Sequence, residues 1–259
     1  MARPPRPVPP AGRAGLLPAA AFPYVRGSWG IVVSLAWVLL AFTAETPLRD
    51  AVASAGLPAT GGPGSLSRAV DSLAAWGATL LVILLAVRLT DVPLRDYVGW
   101  TRPRSRDLLR AAGFVLALYG ALVTITVLAG TAGVHAGQPG RTATGAGAVA
   151  VVLAWGSTVL LAPVVEESIF RGFLWRAVQD RRGPVAALVL TTLVFAAFHW
   201  GYWMRGGSID AVSVAQYLVI GGVLGAFRLT SGGTVAPMVA HALANAALAA
   251  FPTLVSLAM

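Results

Sequence analysis

The feature that most constrains this 259-residue chain is a succession of apolar segments. Each is close to the roughly 20 residues that an α-helix needs to cross a bilayer. Charged residues make up only 11% of the sequence, against about 25% in soluble domains. The sequence therefore predicts an all-α, polytopic integral membrane helical bundle of about seven transmembrane helices, with eight as the alternative count. The apolar segments lie at about 28–44, 69–87, 111–130, 147–165, 184–203, 211–227 and 234–251.

The arginines predict the orientation of these segments. All 19 basic residues are arginines. If the N-terminus is inside, 15 of the 19 fall in inside segments, as the positive-inside rule requires. We therefore expect a multi-pass protein of the bacterial inner membrane with a cytoplasmic N-terminus. The four arginines on the outside are Arg49, Arg68, Arg141 and Arg205.

The net charge of +9 does not indicate a nucleic-acid partner, because the arginines lie between apolar segments where topology needs them. The absence of cysteine excludes disulfides, thiol catalysis and cysteine metal sites. Residues 1–26 are rich in proline and arginine, which predicts a disordered cytoplasmic tail. Residues 27–146 are expected to form three N-terminal transmembrane helices.

Two adjacent glutamates, Glu166 and Glu167, lie within the fourth apolar segment. A charged side chain in hydrocarbon costs at least a few kcal/mol and usually marks function. Glu167 precedes Arg171 by four residues, the favourable helical order for an ion pair. Glu166, about 100° round the helix, points elsewhere, so one acid is expected to be structural and the other free. Pro163 releases a backbone carbonyl, which loosens the helix and admits water.

Two predicted hairpins bring further polar side chains towards Glu166. An inside turn at 181–184 lies about 16 residues from both Glu166 and His199, which puts both at roughly 24 Å along antiparallel helices. His241 and Asn245 are four residues apart and share one helix face. Their depth is somewhat less, about 12–18 Å. We expect these four polar side chains to converge in one wet pocket.

This set of side chains is suited to hydrolysis. A carboxylate such as Glu166 can deprotonate water, and His199 can hold that water or shuttle its proton. His241 and Asn245 can donate hydrogen bonds to a developing oxyanion. Ser168 lacks the G-x-S-x-G context of a serine nucleophile. We therefore interpret the site as a hydrolase that attacks a carbonyl with water.

Three short motifs resemble one known family. EESIFR (166–171) fits E-E-x-x-x-R, FAAFH (195–199) fits F-x-x-x-H, and HALAN (241–245) fits H-x-x-x-N. In this order, each in an apolar segment, they resemble the CPBP family, which includes type II CAAX prenyl proteases, Abi proteins and lysostaphin-resistance-protein-A-like proteins. The resemblance covers roughly residues 147–251, and the first three segments carry no motif.

The resemblance implies an intramembrane glutamic endopeptidase with an all-helical fold and a cavity open to the cytoplasm. It makes residues 147–259 a CPBP-like catalytic core. We expect no metal or other cofactor. The expected partners are the lipid bilayer and a peptide or protein substrate at the membrane, and no nucleic acid. The implied catalytic residues are Glu166, His199, His241 and Asn245, with Glu167 and Arg171 supporting them.

Two alternatives stay open at this point. A zinc-dependent membrane protease would use His199, His241 and Glu166 as ligands, although the sequence has no H-E-x-x-H. A non-enzymatic protein that confers bacteriocin immunity or scaffolds a partner would need the same polar side chains only to join helices by hydrogen bonds.

Overall fold

A computed structural model of the chain describes residues 28–54, 66–131, 148–205 and 207–258. The tail predicted for residues 1–26 lies outside the described residues. The described chain is almost entirely helical. The helices are α1 Ile31–Thr43, α2 Glu45–Ser54, α3 Leu66–Arg88, α4 Leu94–Val98, α5 Ser105–Thr131, α6 Ala148–Trp155, α7 Ala162–Glu167, α8 Trp175–Phe198, α9 Trp200–Trp203, α10 Ala211–Ser231 and α11 Val235–Ala258.

Within the described residues, four helical stretches are long and apolar enough to cross a membrane, judged by length and composition. Two further apolar helices, Ile31–Thr43 and Val235–Ala249, are shorter. This pattern is that of a helical membrane protein. The count of seven crossing helices stays a prediction. The four long stretches are Ala69–Arg88, Ser105–Thr131, Val149–Phe198 and Ala211–Ser231.

A small antiparallel hairpin departs from the all-α prediction. Strand β1 (Met204–Arg205) pairs with β2 (Ser208–Ile209). Gly207, between the strands, has a φ of +81°, a conformation that glycine adopts without steric cost. Two residues per strand are too few for an alternating hydrophobic pattern, so the sequence gives no signal for this hairpin.

The stretch Val149–Phe198 reverses direction at Gly183, as the Gly-Pro pair predicts. Gly183 has a φ of +83° and a ψ of 172°, which an L-residue rarely adopts. Pro184 then starts the second limb, where its missing N–H costs nothing. The rings of Phe170 and Phe195, one on each limb, lie 5.3 Å apart. The chain between them therefore folds back on itself.

This reversal defines two ends of the bundle. The Gly183 end carries the turn at Gly183, the end of α3 and the turn at Gly232 before α11. The His199 end carries the end of α8, the short helix α9, the β-hairpin and the start of α10.

The helix around the glutamates is π-helical on both sides of α7. The first π-helical segment is Gly156–Leu161 and the second is Ser168–Leu174. Pro163 lies in the first turn of α7, and its missing N–H removes one i to i−4 hydrogen bond. The loosening expected at Pro163 thus takes the form of two wider turns. Such π-helical turns are frequent at functional sites.

Residues 94–101, here called the α4 cap, close the Gly183 end of the bundle. Thr234 donates its hydroxyl to the Val98 carbonyl over 2.6 Å, and Arg176 Nε donates to the Tyr97 carbonyl over 2.7 Å. Tyr97 is fully buried, and this burial raises the pKa of its hydroxyl. These bonds tie the cap to the glutamate-bearing helix and to the start of α11.

Close packing of the cap on the second π-helical segment requires a glycine. A Cβ on Gly172 would lie 2.7 Å from the Val98 carbonyl oxygen and 2.9 Å from Val98 Cβ. Backbone and a β-branched side chain cannot move aside cheaply. Gly172 is therefore the residue that lets the cap approach the helix.

The substitution Gly172→Ala is expected to destabilise the protein by about 1–3 kcal/mol, the usual cost of overpacking. The control is Gly222→Ala, because a Cβ at Gly222 meets nothing within 4 Å, and alanine is favoured over glycine in a helix. Thermal unfolding of both variants in detergent would measure the difference. Equal unfolding temperatures for the two variants would contradict the cap contact.

Candidate active site

The four predicted site residues line one cavity of about 440 Å³. Glu166 comes from α7, His199 from the residue after α8, and both His241 and Asn245 from α11. The convergence expected from the two hairpins is therefore present in the structure. Helices α3 and α5 complete the wall with Trp76, Leu118 and other residues.

Glu166 faces His199 across this cavity. Its Oε2 atom is buried and has no hydrogen-bond partner among the described residues. It lies 3.8 Å from His199 Nε2, which is too far for a direct hydrogen bond. A polar gap of this size beside a cavity is where a bridging water is expected.

The tautomer of His199 follows from its other nitrogen. Nδ1 lies 2.7 Å from the Phe195 carbonyl oxygen. A carbonyl can only accept, so Nδ1 carries the proton. In the neutral ring, Nε2 is then an unprotonated acceptor that faces Glu166.

Glu167 has different contacts from Glu166. It is fully buried, and its Oε1 accepts from Arg171 over 3.2 Å. The same oxygen lies 2.9 Å from His241 Nδ1. The Glu167–Arg171 ion pair predicted from the i, i+4 spacing is therefore present. Glu167 also orients His241, a contact that the sequence did not predict.

Arg171 is held by three kinds of contact. Besides Glu167, it donates to the Gly221 carbonyl of α10 over 2.9 Å. Its guanidinium lies 4.5 Å from the centroid of the Phe195 ring, a cation–π contact. The arginine thus joins the glutamate helix, α8 and α10 at one buried point.

Asn245 reaches the cavity one turn after His241. Its Nδ2 donates to the Thr158 carbonyl over 2.8 Å, in the first π-helical segment. An amide nitrogen carries two hydrogens, so one remains for a ligand. Residue counting predicted that His241 and Asn245 would be shallower than Glu166, but the contact between His241 and Glu167 closes that difference.

An aromatic group that sequence reasoning missed surrounds His199. The imidazole stacks on Tyr217 of α10, with ring centroids 4.5 Å apart and an interplanar angle of 24°. Phe195 lies against it with a centroid distance of 4.3 Å. Tyr217 lies in an apolar helix, and no local pattern distinguishes it. Its role becomes visible only when α8 and α10 are packed together.

The zinc alternative required a ligand cluster of His199, His241 and Glu166. Across the parts of the chain that the structure describes, no group of three His, Cys, Asp or Glu side chains is arranged to hold a metal ion. His241 Nδ1 is occupied by Glu167 instead.

The two adjacent glutamates should differ in their effect on stability. Glu167→Gln leaves the fully buried Arg171 without its ion-pair partner, which typically costs about 3–5 kcal/mol. Glu166→Gln is the matched control, because Glu166 Oε2 has no hydrogen-bond partner among the described residues. Thermal unfolding in detergent should therefore show a lower midpoint for Glu167→Gln only. Similar losses for both variants would refute the division of roles between the two acids.

Comparison with known families agrees with the geometry. Residues 148–247 match the sequence model of a family described as Rce1-like, type II CAAX prenyl endopeptidase. The matched range contains Glu166, His199, His241 and Asn245. Searches of curated proteins and of solved structures found no match. Over residues 148–247, this chain is therefore similar to the Rce1-like family of type II CAAX prenyl endopeptidases.

Proposed function

We propose that the protein is an intramembrane endopeptidase that hydrolyses a peptide bond of a membrane-associated protein or peptide with a water activated by Glu166. The observation that carries the proposal is the buried Glu166 Oε2 atom, which faces His199 across the cavity and has no hydrogen-bond partner among the described residues. A costly buried carboxylate of this kind is a functional-site signal. The family of residues 148–247 supports a hydrolase acting on peptide bonds.

The first step is the positioning of water. Two acceptors, Glu166 Oε2 and the unprotonated Nε2 of His199, lie 3.8 Å apart, and a water between them donates one hydrogen to each. The oxygen lone pairs then point away from both acceptors, towards the cavity. Glu166 takes a proton as the water attacks the carbonyl carbon of the substrate, as a general base does.

The second step is the stabilisation of the tetrahedral oxyanion. Asn245 donates one amide hydrogen to the Thr158 carbonyl, which fixes the side chain and leaves the other hydrogen for the oxyanion. His241 uses Nδ1 for Glu167. When its ring carries both protons, the opposite nitrogen donates to the same oxyanion, and Glu167 stabilises that charged ring. Donors fixed before the reaction are the efficient form of such a site.

The third step is the breakdown of the intermediate. The proton held by Glu166 passes to the leaving amine, so the glutamate returns to its ionised form. No covalent enzyme intermediate forms in this sequence. Residues 147–259 supply all the proposed reacting groups, and residues 27–146 supply part of the cavity wall. The bacterial inner membrane with a cytoplasmic N-terminus is the proposed location.

The substrate follows less directly from the family. The family description names CAAX prenyl endopeptidases. The substrates of such enzymes carry a prenyl group at a C-terminal motif. Bacteria generally lack such proteins, so we assign this chain a membrane peptide bond without a prenyl group.

Glu166→Gln and His199→Ala are each expected to lower cleavage by about 10²–10⁴-fold, the usual contribution of a general base. The measurement is a comparison of new peptide termini in membrane fractions from cells that produce the wild type or each variant. Precursors should accumulate in both variants. Glu45→Gln is the control for the same chemical change in α2, away from the motifs.

The outcomes of this comparison separate the two classes of function. Identical termini in wild-type and Glu166→Gln membranes would refute the peptidase. If the Glu166→Gln variant also retained a bacteriocin-immunity phenotype, the non-enzymatic alternative would replace the peptidase proposal. Stoichiometric zinc in the purified protein, with activity lost on chelation, would instead replace the metal-free mechanism.

Asn245→Ala is expected to lower kcat by about 10²–10³-fold, the usual cost of one oxyanion donor. KM for a substrate identified by its accumulated precursor should change little, because the donor acts on charge that develops in the transition state. A rise in KM with an unchanged kcat would assign Asn245 to ground-state binding instead.

A further inference from the structure

We infer that Tyr119 of α5 is a positioning residue for the proposed oxyanion site, because its hydroxyl fixes the part of α11 that carries Asn245. The inference rests on the proposed function, since it needs Asn245 to donate to the oxyanion. It adds to the site a residue from outside 148–247, the range that matches the family model.

One face of α11 borders the cavity. The cavity is lined by His241, Ala244, Asn245 and Leu248. Their i, i+3, i+4 and i+7 spacing places them on the same face of the helix. A small rotation or shift of α11 would therefore move both proposed oxyanion donors away from the substrate. The geometry of the oxyanion site depends on whatever fixes the α11 backbone at this level.

Tyr119 bonds to the α11 backbone in the middle of this face. Its hydroxyl donates to the Ala244 carbonyl over 2.7 Å, although the two residues are 125 positions apart in sequence. A carbonyl oxygen has two lone pairs, so it can accept this bond and still accept a helical bond. The bonds of His241 and Asn245 to other helices hold their side chains. The Tyr119 bond holds the backbone that carries them.

Apolar packing between α5 and α11 constrains this position weakly. The buried residues that these two helices contribute to their shared cluster are all alanines, namely Ala111, Ala236 and Ala240. Small side chains let two helices approach closely, but their smooth surfaces resist sliding and rotation poorly. A hydrogen bond has a preferred direction as well as a preferred length. The Tyr119 bond therefore supplies the constraint that alanine packing lacks.

Asn245 depends on this constraint more than His241 does. His241 is 6% exposed and contacts the fully buried Glu167, whereas Asn245 is only half-buried. The bond from Asn245 to the Thr158 carbonyl forms only while α11 keeps the amide within reach. A misplacement of about 1 Å can lower a catalysed rate by about 10²-fold. Loss of the Tyr119 bond is therefore expected to affect the oxyanion donor that directly follows Ala244.

Tyr119→Phe tests the inference, because it removes the hydroxyl and keeps the ring. The matched control is Thr126→Val, which removes a different hydrogen bond of α5. Thr126 accepts from Gln216 of α10 over 3.1 Å, and neither of these residues lines the cavity. For each purified variant, kcat and KM are measured on the precursor that accumulates in Glu166→Gln cells. Thermal unfolding in detergent checks that each variant is folded.

Tyr119→Phe is expected to lower kcat by about 10–10²-fold and to leave KM nearly unchanged, as loss of a transition-state interaction does. Thr126→Val should keep the wild-type kcat. In an Asn245→Ala background, Tyr119→Phe should cause no further loss of kcat. A residue that acts through Asn245 has nothing to position once that amide is absent, so the two effects are not additive.

Each other outcome overturns the inference. A raised KM with an unchanged kcat would assign Tyr119 to substrate binding, and an equal loss in Thr126→Val would make the bond a general attachment between helices. A further loss in the Asn245→Ala background would show that Tyr119 does not act through that amide. If Glu166→Gln is inactive and Tyr119→Phe is fully active, this inference fails alone. If wild-type and Glu166→Gln membranes give identical peptide termini, the peptidase proposal and this inference fail together.

Discussion

The architecture of the site depends on one buried cation, the guanidinium of Arg171. It has no exposed surface and is neutralised by Glu167, which in turn contacts His241. A hydrogen bond to the Gly221 carbonyl joins it to α10. The Arg171 backbone also takes part, because its carbonyl accepts from Arg228 Nε over 3.0 Å. A buried charge of this kind is tolerated only when its partners are in place. Helices α7, α10 and α11 must therefore pack correctly for the charge to be compensated, and the same packing brings the polar groups of the cavity together.

This arrangement explains why two adjacent acids are needed. Glu167 compensates Arg171 and orients His241, so it is committed to structure. Glu166, one residue earlier and about 100° round the helix, lines the cavity and keeps Oε2 without a hydrogen-bond partner among the described residues. Glu167 could not do both, because it is not among the residues that line the cavity. Placing the two acids next to each other lets one short helix, α7, serve both purposes.

Local rules were enough to predict part of this structure from the sequence. The Glu167–Arg171 pair follows from helical spacing, and the reversal at Gly183 follows from the conformational freedom of glycine and the preference of proline for a first helical turn. The contact between His241 and Glu167 was missed because depth was counted along regular helices, whereas two π-helical segments flank α7. The α4 cap was missed for another reason. Its bonds to Ser168, Arg176 and Thr234 join residues 68, 79 and 136 positions apart, mostly through backbone carbonyls. No side-chain pattern in the sequence encodes such contacts.

The family match contains the residues proposed for chemistry but only part of the cavity wall. The proposed reacting groups all lie within residues 148–247, the range that the family model matches. The cavity wall does not lie entirely within this range. Trp76 and Leu118 come from α3 and α5, and Leu248 lies just beyond the matched range. The hydrolysis of any peptide bond needs the same few polar groups, so the chemistry constrains the matched helices that carry them. The shape and polarity of the space beside the scissile bond depend in part on helices outside the match. Helices α3 and α5 therefore help to shape the space beside the scissile bond, and the substrate named in the family description need not extend to a chain whose cavity these helices complete.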